Sequence, residues 1–154
     1  MASSTTYKIK FKRRRQGITD YAKRLRTLKG KKNKVVIRIT NNNIISQVIK
    51  YQAKGDETII NTTALELKKY NYKGHKGNKK AAYLTGYLCG KKAIKKGIKE
   101  ANPDIGLRTP VHKSNVFAVI KGLIDSGLKM NYDKKALPEI KEVEEIKKEI
   151  DKKY

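Results

Sequence analysis

KVVIRITNNNIISQVIKYQAKGDETIINTTA, residues 34–64, contains three β-branched runs separated by turn residues. VVIRI (35–39) and IISQVIKY (44–51) flank Thr40-Asn41-Asn42-Asn43, and Asn tolerates the positive φ that tight hairpin turns use. ETIINTTA (57–64) follows the turn signal Lys54-Gly55-Asp56 and reads as a third antiparallel strand. A three-stranded meander has one face to bury, so the rest of the chain must supply what covers it.

Moving toward the C-terminus, LELKKYNY (65–72) has room for one short helical turn, and KGHKGNKK (73–80) is polar and Gly-rich enough to be a loop. The spacing then predicts the longest helix over about 79–101, with Leu84, Tyr87, Leu88, Ile94, Ile98 and Ala101 as its apolar stripe. A second stripe consists of Ala82, Gly86, Gly90, Ala93 and Gly97. Glycine in a helix costs about 1 kcal/mol relative to Ala, so a close approach to a neighbouring surface is expected to offset it. The sheet is the expected neighbour, with another backbone as the alternative. Asn102-Pro103 should break the helix, and DIGL (104–107) should add a strand parallel to the meander through a right-handed crossover. A helix over Ser114–Ser126 follows, with Gly127 closing it. Pro138 opens a last helix whose Ile140, Val143, Ile146 and Ile150 share a seam. The expected fold is α/β: a mixed sheet, three antiparallel strands plus one parallel, packed with helices.

Moving toward the N-terminus, the chain becomes strongly cationic. Lys10 to Arg38 holds thirteen Lys or Arg against one acid, Asp20. Tyr7, Ile9 and Phe11 alternate with Lys8, Lys10 and Lys12, a strand-like period that ends at Arg13-Arg14-Arg15 and Gly17. Thr19 is a fitting N-cap for a short helix, with Asp20 in its first turn, where the dipole favours an anion. Ile18, Tyr21, Ala22, Leu25 and Leu28 share a face expected to dock on the body, and Gly30 can end the helix. The expected organisation is a basic arm and short helix (1–33), an α/β body (34–132) and a charged helical tail (133–154).

The net charge of +24 resides in the arm and body. Residues 1–132 carry 31 Lys/Arg and 7 Asp/Glu, whereas 133–154 carry seven of each. Such an excess opposes a compact monomer and implies a polyanionic partner. Composition that is 38% hydrophobic still provides a core, so wholesale disorder is not expected. The single Cys89 permits no intrachain disulfide and suits a reducing cytosol. No run of 18 apolar residues exists, the first residues lack a secretory h-region, and the cations lie on many elements rather than one amphipathic helix. A transit peptide fits the acid-free, Ser/Thr-containing start less well than a binding arm does. Neither a membrane nor a small-molecule substrate is expected, and nucleic acid is.

Catalysis on nucleic acid would need clustered carboxylates to hold metal ions. The seven acids before residue 133 are scattered, and His75, Cys89 and His112 do not form the paired spacing of a zinc site. KGHKGNKK lacks P-loop spacing. No catalytic residue, metal or cofactor is expected. Lys and Arg neutralise phosphates, and Tyr, His and Arg planes stack on exposed bases. The readings this leaves are a ribonucleoprotein component, a free or chromatin-like basic protein, and, least supported, a metal-dependent nuclease.

Four blocks carry a resemblance to a known family: RRRQGITDYAKRLRTL (13–28), KVVIRITNNNIISQVIKY (34–51), GHKGNKKAAYLTGYLCGKKA (74–93) and DIGLRTP with NVFAVIKGLIDSGL (104–128). In this order they resemble the universal large-subunit ribosomal protein eighteen family in its archaeal-type form. The resemblance covers about residues 7–133. It implies a ribonuclease-H-like α/β sandwich and a cytoplasmic, non-enzymatic component of the large ribosomal subunit. The implied partners are 5S rRNA, which the protein would attach to the large-subunit rRNA in the central protuberance, and neighbouring large-subunit proteins. The chain departs from the family in its Asn41-Asn42-Asn43 turn and in Lys79-Lys80 before the long helix.

Residues expected to meet RNA fall in five places. The arm offers Lys8, Lys10, Lys12, Arg13, Arg14 and Arg15. The short helix and its exit offer Tyr21, Lys23, Arg24, Arg26, Lys29, Lys31 and Lys32. The hairpin offers Arg38, Asn41, Asn42 and Asn43. The loop before the long helix offers His75, Lys76, Asn78, Lys79 and Lys80, and the last loop Arg108, His112 and Lys113.

Overall fold

Strands β1 (Lys34–Ile39) and β2 (Ile44–Lys50) pair antiparallel, with Lys34 opposite Ile49 and Ile39 opposite Ile44. This computed structural model describes residues 5–140 and 143–154. The expectations for residues 1–4 of the arm and 141–142 of the last helix lie outside it. Strand β3 (Glu57–Thr63) pairs antiparallel with β2, and a register shift falls between Val48 and Ile49. The hairpin forms where expected, but its turn closes differently. Asn41, Asn42 and Asn43 all keep negative φ. The Thr40 amide donates to the Asn43 carbonyl (2.9 Å), and the Asn43 amide donates to the Thr40 hydroxyl (3.0 Å). Side-chain hydrogen bonding does what a left-handed residue was expected to do.

The fourth strand, β4, is Asn102–Asp104, not 104–107. It runs parallel to β1, with Val35 opposite Pro103, and completes the order β3-β2-β1-β4. Pro103 lacks an amide, which an outermost strand tolerates. The Asn102 amide donates to Asn33 O (2.9 Å) and fixes the start. The Asp104 carboxylate accepts from the Gly106 amide (2.8 Å), and Gly106, at φ +68°, turns the chain out of the sheet.

Helix α3 (Lys79–Lys95) is shorter than its periodicity suggests. Gly97 takes φ +78°, and the Ile98 amide returns to Ala93 O (2.9 Å), which closes the helix. Ile98 and Ala101 remain buried although they lie beyond it. Between β3 and α3, Ala64–Tyr70 forms a 3₁₀ helix of seven residues, longer than the single turn expected. Its Ala64, Leu67 and Tyr70 recur every third residue and are buried, and Thr63 and Glu66 form a capping box.

Helix α4 (Asn115–Asp125) lies against α3, and this contact explains the small-residue stripe. A methyl built on Gly86 would sit 2.1 Å from the Val119 carbonyl oxygen, and one on Gly122 2.1 Å from that of Tyr83. One on Gly90 would fall 1.8 Å from Ser126 Oγ. The close neighbour is therefore α4, not the sheet. At Gly86 and Gly122 the two backbones approach too closely for any Cβ, whereas at Gly90 the Ser126 side chain stands in the way.

Val35, Ile37, Ile44, Val48 and Ile60 face α3 and α4 in one continuous core with Leu84, Leu88, Val119 and Leu123. Helix α5 is Glu144–Asp151, so Pro138 precedes it without opening it. Val143 and Ile150 are nonetheless buried in the same core, and Ile140 and Ile146 pack against it. The Tyr87 hydroxyl donates to Asp151 (2.7 Å), Lys91 pairs with Asp151 (2.7 Å), and Lys147 lies 4.7 Å from the Tyr83 ring centroid.

Candidate nucleic-acid interface

Each of the seven carboxylates before residue 133 has a structural partner. Asp20 caps a helix, Asp56 pairs with Arg24, and Glu57 accepts from Gln52. Glu66 completes the capping box and pairs with Lys92, while Glu100 pairs with Lys32. Asp104 accepts from Gly106, and Asp125 accepts from the Tyr83 hydroxyl (2.7 Å). Among the described residues, no three His, Cys, Asp or Glu side chains gather where a metal ion could bind. Cys89 is fully buried, and burial raises its pKa, so it is not an exposed nucleophile. Negative charge is thus bound up in local structure, and the uncompensated charge is cationic.

The arm differs from its expected extended form. Lys12–Arg15 make one helical turn, α1, closed by Gly17 at φ +65°. Helix α2 follows as Tyr21–Lys29, and Asp20, not Thr19, is its N-cap: Asp20 accepts from the Lys23 amide (3.0 Å). That hydrogen bond is the main reason the Asp20 carboxyl lies below its usual range. Thr19 instead accepts from Arg13 Nε (2.8 Å), which ties α1 to α2.

The apolar face of α2 does not dock as expected. Leu25 is 58% exposed and Ile18 50%, while Phe11, 74% exposed, packs on the Tyr21 ring at 5.5 Å between centroids. The helix meets the body through polar groups. Lys23 Nζ donates to Gly106 O (2.9 Å), and Arg24 Nη2 donates to both carboxylate oxygens of Asp56 (2.9 and 3.0 Å). Sequence periodicity missed this because the seat beneath α2 is itself charged: Lys34 is only 5% exposed there, and burial, then Arg24, lowers its pKa.

The expected RNA-facing cations therefore separate into two groups. Lys23, Arg24, Lys32, Arg38 and Arg108 bind within the protein; Arg38 reaches the Ile37 and Asp104 carbonyls, and Arg108 reaches that of Ile39 (2.6 Å). Lys8, Lys10, Lys12, Arg14, Arg15, Arg26, Lys29 and Lys31 are exposed and form no ion pair among the described residues. Lys76, Lys79, Lys80 and Lys113 border the loops at the N-terminal ends of α3 and α4. His112 is exposed beside the Phe117 ring (6.2 Å). Asn78 is used internally: its Oδ1 caps α3 through the Ala81 amide (2.7 Å) and accepts from the Tyr72 hydroxyl (2.8 Å).

His75 lies on an open cleft of about 700 Å³ with Asn42, Lys68, Asn71, Tyr72, Lys73, Gly74 and Lys76. Lys68, Tyr72 and Lys73 were not anticipated. Nothing local marks them, since the hairpin turn that completes the cleft lies far away in sequence.

The sequence pattern of a family described as "Ribosomal large subunit proteins 60S L5, and 50S L18" matches residues 5–103. The large ribosomal subunit protein uL18 of Methanothermobacter thermautotrophicus is 45% identical over 139 residues, covering 90% of this chain and 72% of the relative. The proteins of the same name from Methanosphaera stadtmanae and Methanobrevibacter smithii are 43% and 42% identical over the same shares.

Proposed function

The chain belongs to the family of ribosomal large subunit proteins 60S L5 and 50S L18, and from that premise we propose that it binds 5S rRNA and helps attach it to the large-subunit rRNA in the central protuberance. At the coarser level it is a structural component of the large ribosomal subunit and acts in the cytoplasmic ribosome. The observation that carries the RNA reading is the division of charge. The carboxylates before residue 133 are used in caps and internal pairs, while exposed cations remain on the arm, on α2 (Arg26 and Lys29) and around the loop ahead of α3 (Lys73 and Lys79). Phosphate contacts would release counterions and relieve the self-repulsion of a +24 chain. The 5S assignment is supported by the four sequence blocks quoted above, and neighbouring large-subunit proteins are the further partners it implies.

The test is competition. The purified chain is bound to labelled 5S rRNA at fixed salt and challenged with unlabelled 5S rRNA or with an unrelated structured RNA of equal length. Preferential displacement by 5S rRNA, with co-sedimentation on large subunits at moderate salt, is the expected result. Equal displacement by both RNAs would make this a general basic RNA binder. Magnesium-dependent cleavage of either RNA would make it a nuclease.

A further inference from the structure

The cleft between the hairpin turn and the loop ahead of α3 is a built feature. A methyl on Gly77 would fall 2.2 Å from the Asn41 carbonyl oxygen, so the loop backbone lies directly against the turn. Asn115 Nδ2 holds Gly77 O (2.8 Å) and ties the loop to α4. The Tyr72 hydroxyl, donating to the Asn78 cap, ties it to α3. His75 Nδ1 accepts from the Gly77 amide (3.1 Å), which leaves the ring proton on Nε2 as a donor. The walls are thus set before any ligand arrives.

What these walls offer is chemically mixed. Lys68, Lys73 and Lys76 supply positive charge, Tyr72 and His75 supply rings, and Asn42 supplies an amide with no hydrogen-bond partner among the described residues. No carboxylate lines the cleft among the described residues, and Glu149, beside its rim, accepts from Asn71 Nδ2 (3.3 Å). A duplex backbone would use the lysines but neither the rings nor the amide. An unpaired nucleotide uses all three, because RNA read by base is splayed out, stacked on rings and hydrogen-bonded at its edges. The volume, about 700 Å³, suits a ligand of that size.

We propose that this cleft seats one unpaired nucleotide of ribosomal RNA, its base against the rings of Tyr72 and His75, its edge on Asn42 and His75 Nε2, and its phosphate among the lysines. The proposal rests on the reading of the chain as an rRNA-binding protein and adds to it a base-reading site.

The experiment probes base-edge reactivity and backbone cleavage on 5S rRNA and large-subunit rRNA, with the full chain and with Asn42→Ala, His75→Ala and Lys73→Ala. Asn42→Ala removes no side-chain hydrogen bond among the described residues, so it stays informative if His75→Ala disturbs the loop. The expected result is a short unpaired stretch protected by the wild type. It should regain base reactivity with Asn42→Ala and His75→Ala while the backbone footprint persists, with affinity down about five- to a hundredfold. Lys73→Ala should mainly reduce the salt slope, by about 1. Wild-type base protections with both Asn42→Ala and His75→Ala would overturn the cleft and leave rRNA binding intact. No footprint from the wild type on either RNA would overturn both.

Discussion

At the residue scale, the close approach of α3 and α4 makes three glycines sensitive in a predictable order. Gly86→Ala and Gly122→Ala would each drive a methyl into a backbone carbonyl, which can yield only if the helices separate. Each should destabilise the protein by about 1–3 kcal/mol or more in urea unfolding. Gly90→Ala meets the Ser126 side chain rather than a backbone carbonyl. The hydroxyl, which donates to Leu123 O (2.6 Å), can rotate away, but Ser126 Cβ at 2.8 Å must still give, so the cost should be smaller without vanishing. The double variant Gly86→Ala/Gly122→Ala should cost less than the sum of its parts, because one separation relieves both clashes. Strict additivity, or any stabilised single variant, would mean that the helices are not in this contact. The sequence did mark Gly86 and Gly90 as facing something close, but not Gly122. It did not reveal the partner, because in α4 only Ala118 and Gly122 are small, too short a stripe to stand out against Val116, Val119, Ile120 and Leu123.

At the element scale, α5 is held by ionisable groups as well as by apolar ones. Burial is the main cause that raises the hydroxyls of Tyr70, to about 12, and of Tyr83 and Tyr87, with hydrogen bonds to Asp125 and Asp151 adding for the latter two. Lys91 is raised through its bond to Asp151. A group whose folded pKa exceeds its unfolded one gives stability that is complete below the unfolded value and fades above it. Unfolding stability should therefore decline as pH rises beyond about 10, the unfolded tyrosine value. Tyr83→Phe should make that decline shallower. Lys34, lowered chiefly by burial, acts with the opposite sign and in a lower window: its charging penalty is relieved as pH rises toward about 10.5, its unfolded value. Independently, Ile150→Ala should cost about 2–5 kcal/mol, since its side chain is fully buried. The strands and the two long helices were legible because period-2 and period-3.6 patterns are local. Their ends were not: the stop at Gly97, the start of β4 at Asn102 and the Asp20 cap depend on hydrogen bonds to partners that periodicity does not encode.

At the scale of the whole molecule, the charge map predicts a steep salt dependence. If about eight phosphates are contacted, log K for 5S rRNA should fall against log salt with a slope of about −6 to −7. A slope shallower than about −2 would mean that most exposed cations touch no phosphate. Deleting residues 1–17 removes Lys8, Lys10, Lys12, Arg13, Arg14 and Arg15, and no residue of the described core lies in that span. Circular dichroism should show a folded body, with rRNA affinity lowered at least tenfold, about 1.4 kcal/mol. Of the interface, the sequence made the sign of the charge plain. It could not show which cations are occupied, because Arg24 and Asp56, or Lys32 and Glu100, meet only in the folded chain.

The same exposed arm sets a difference in lifetime between free and assembled copies. Residues 7–18 present Lys and Arg on a backbone that packs on little besides α2, and such termini are where proteases cut first. Limited trypsin should nick the free chain between Lys8 and Arg15 well before the body, and should spare the same bonds in intact large subunits. Equal cleavage in both would show that the arm remains in solvent after assembly. Protection on assembly would make turnover itself a sorting step, clearing surplus copies that have found no RNA.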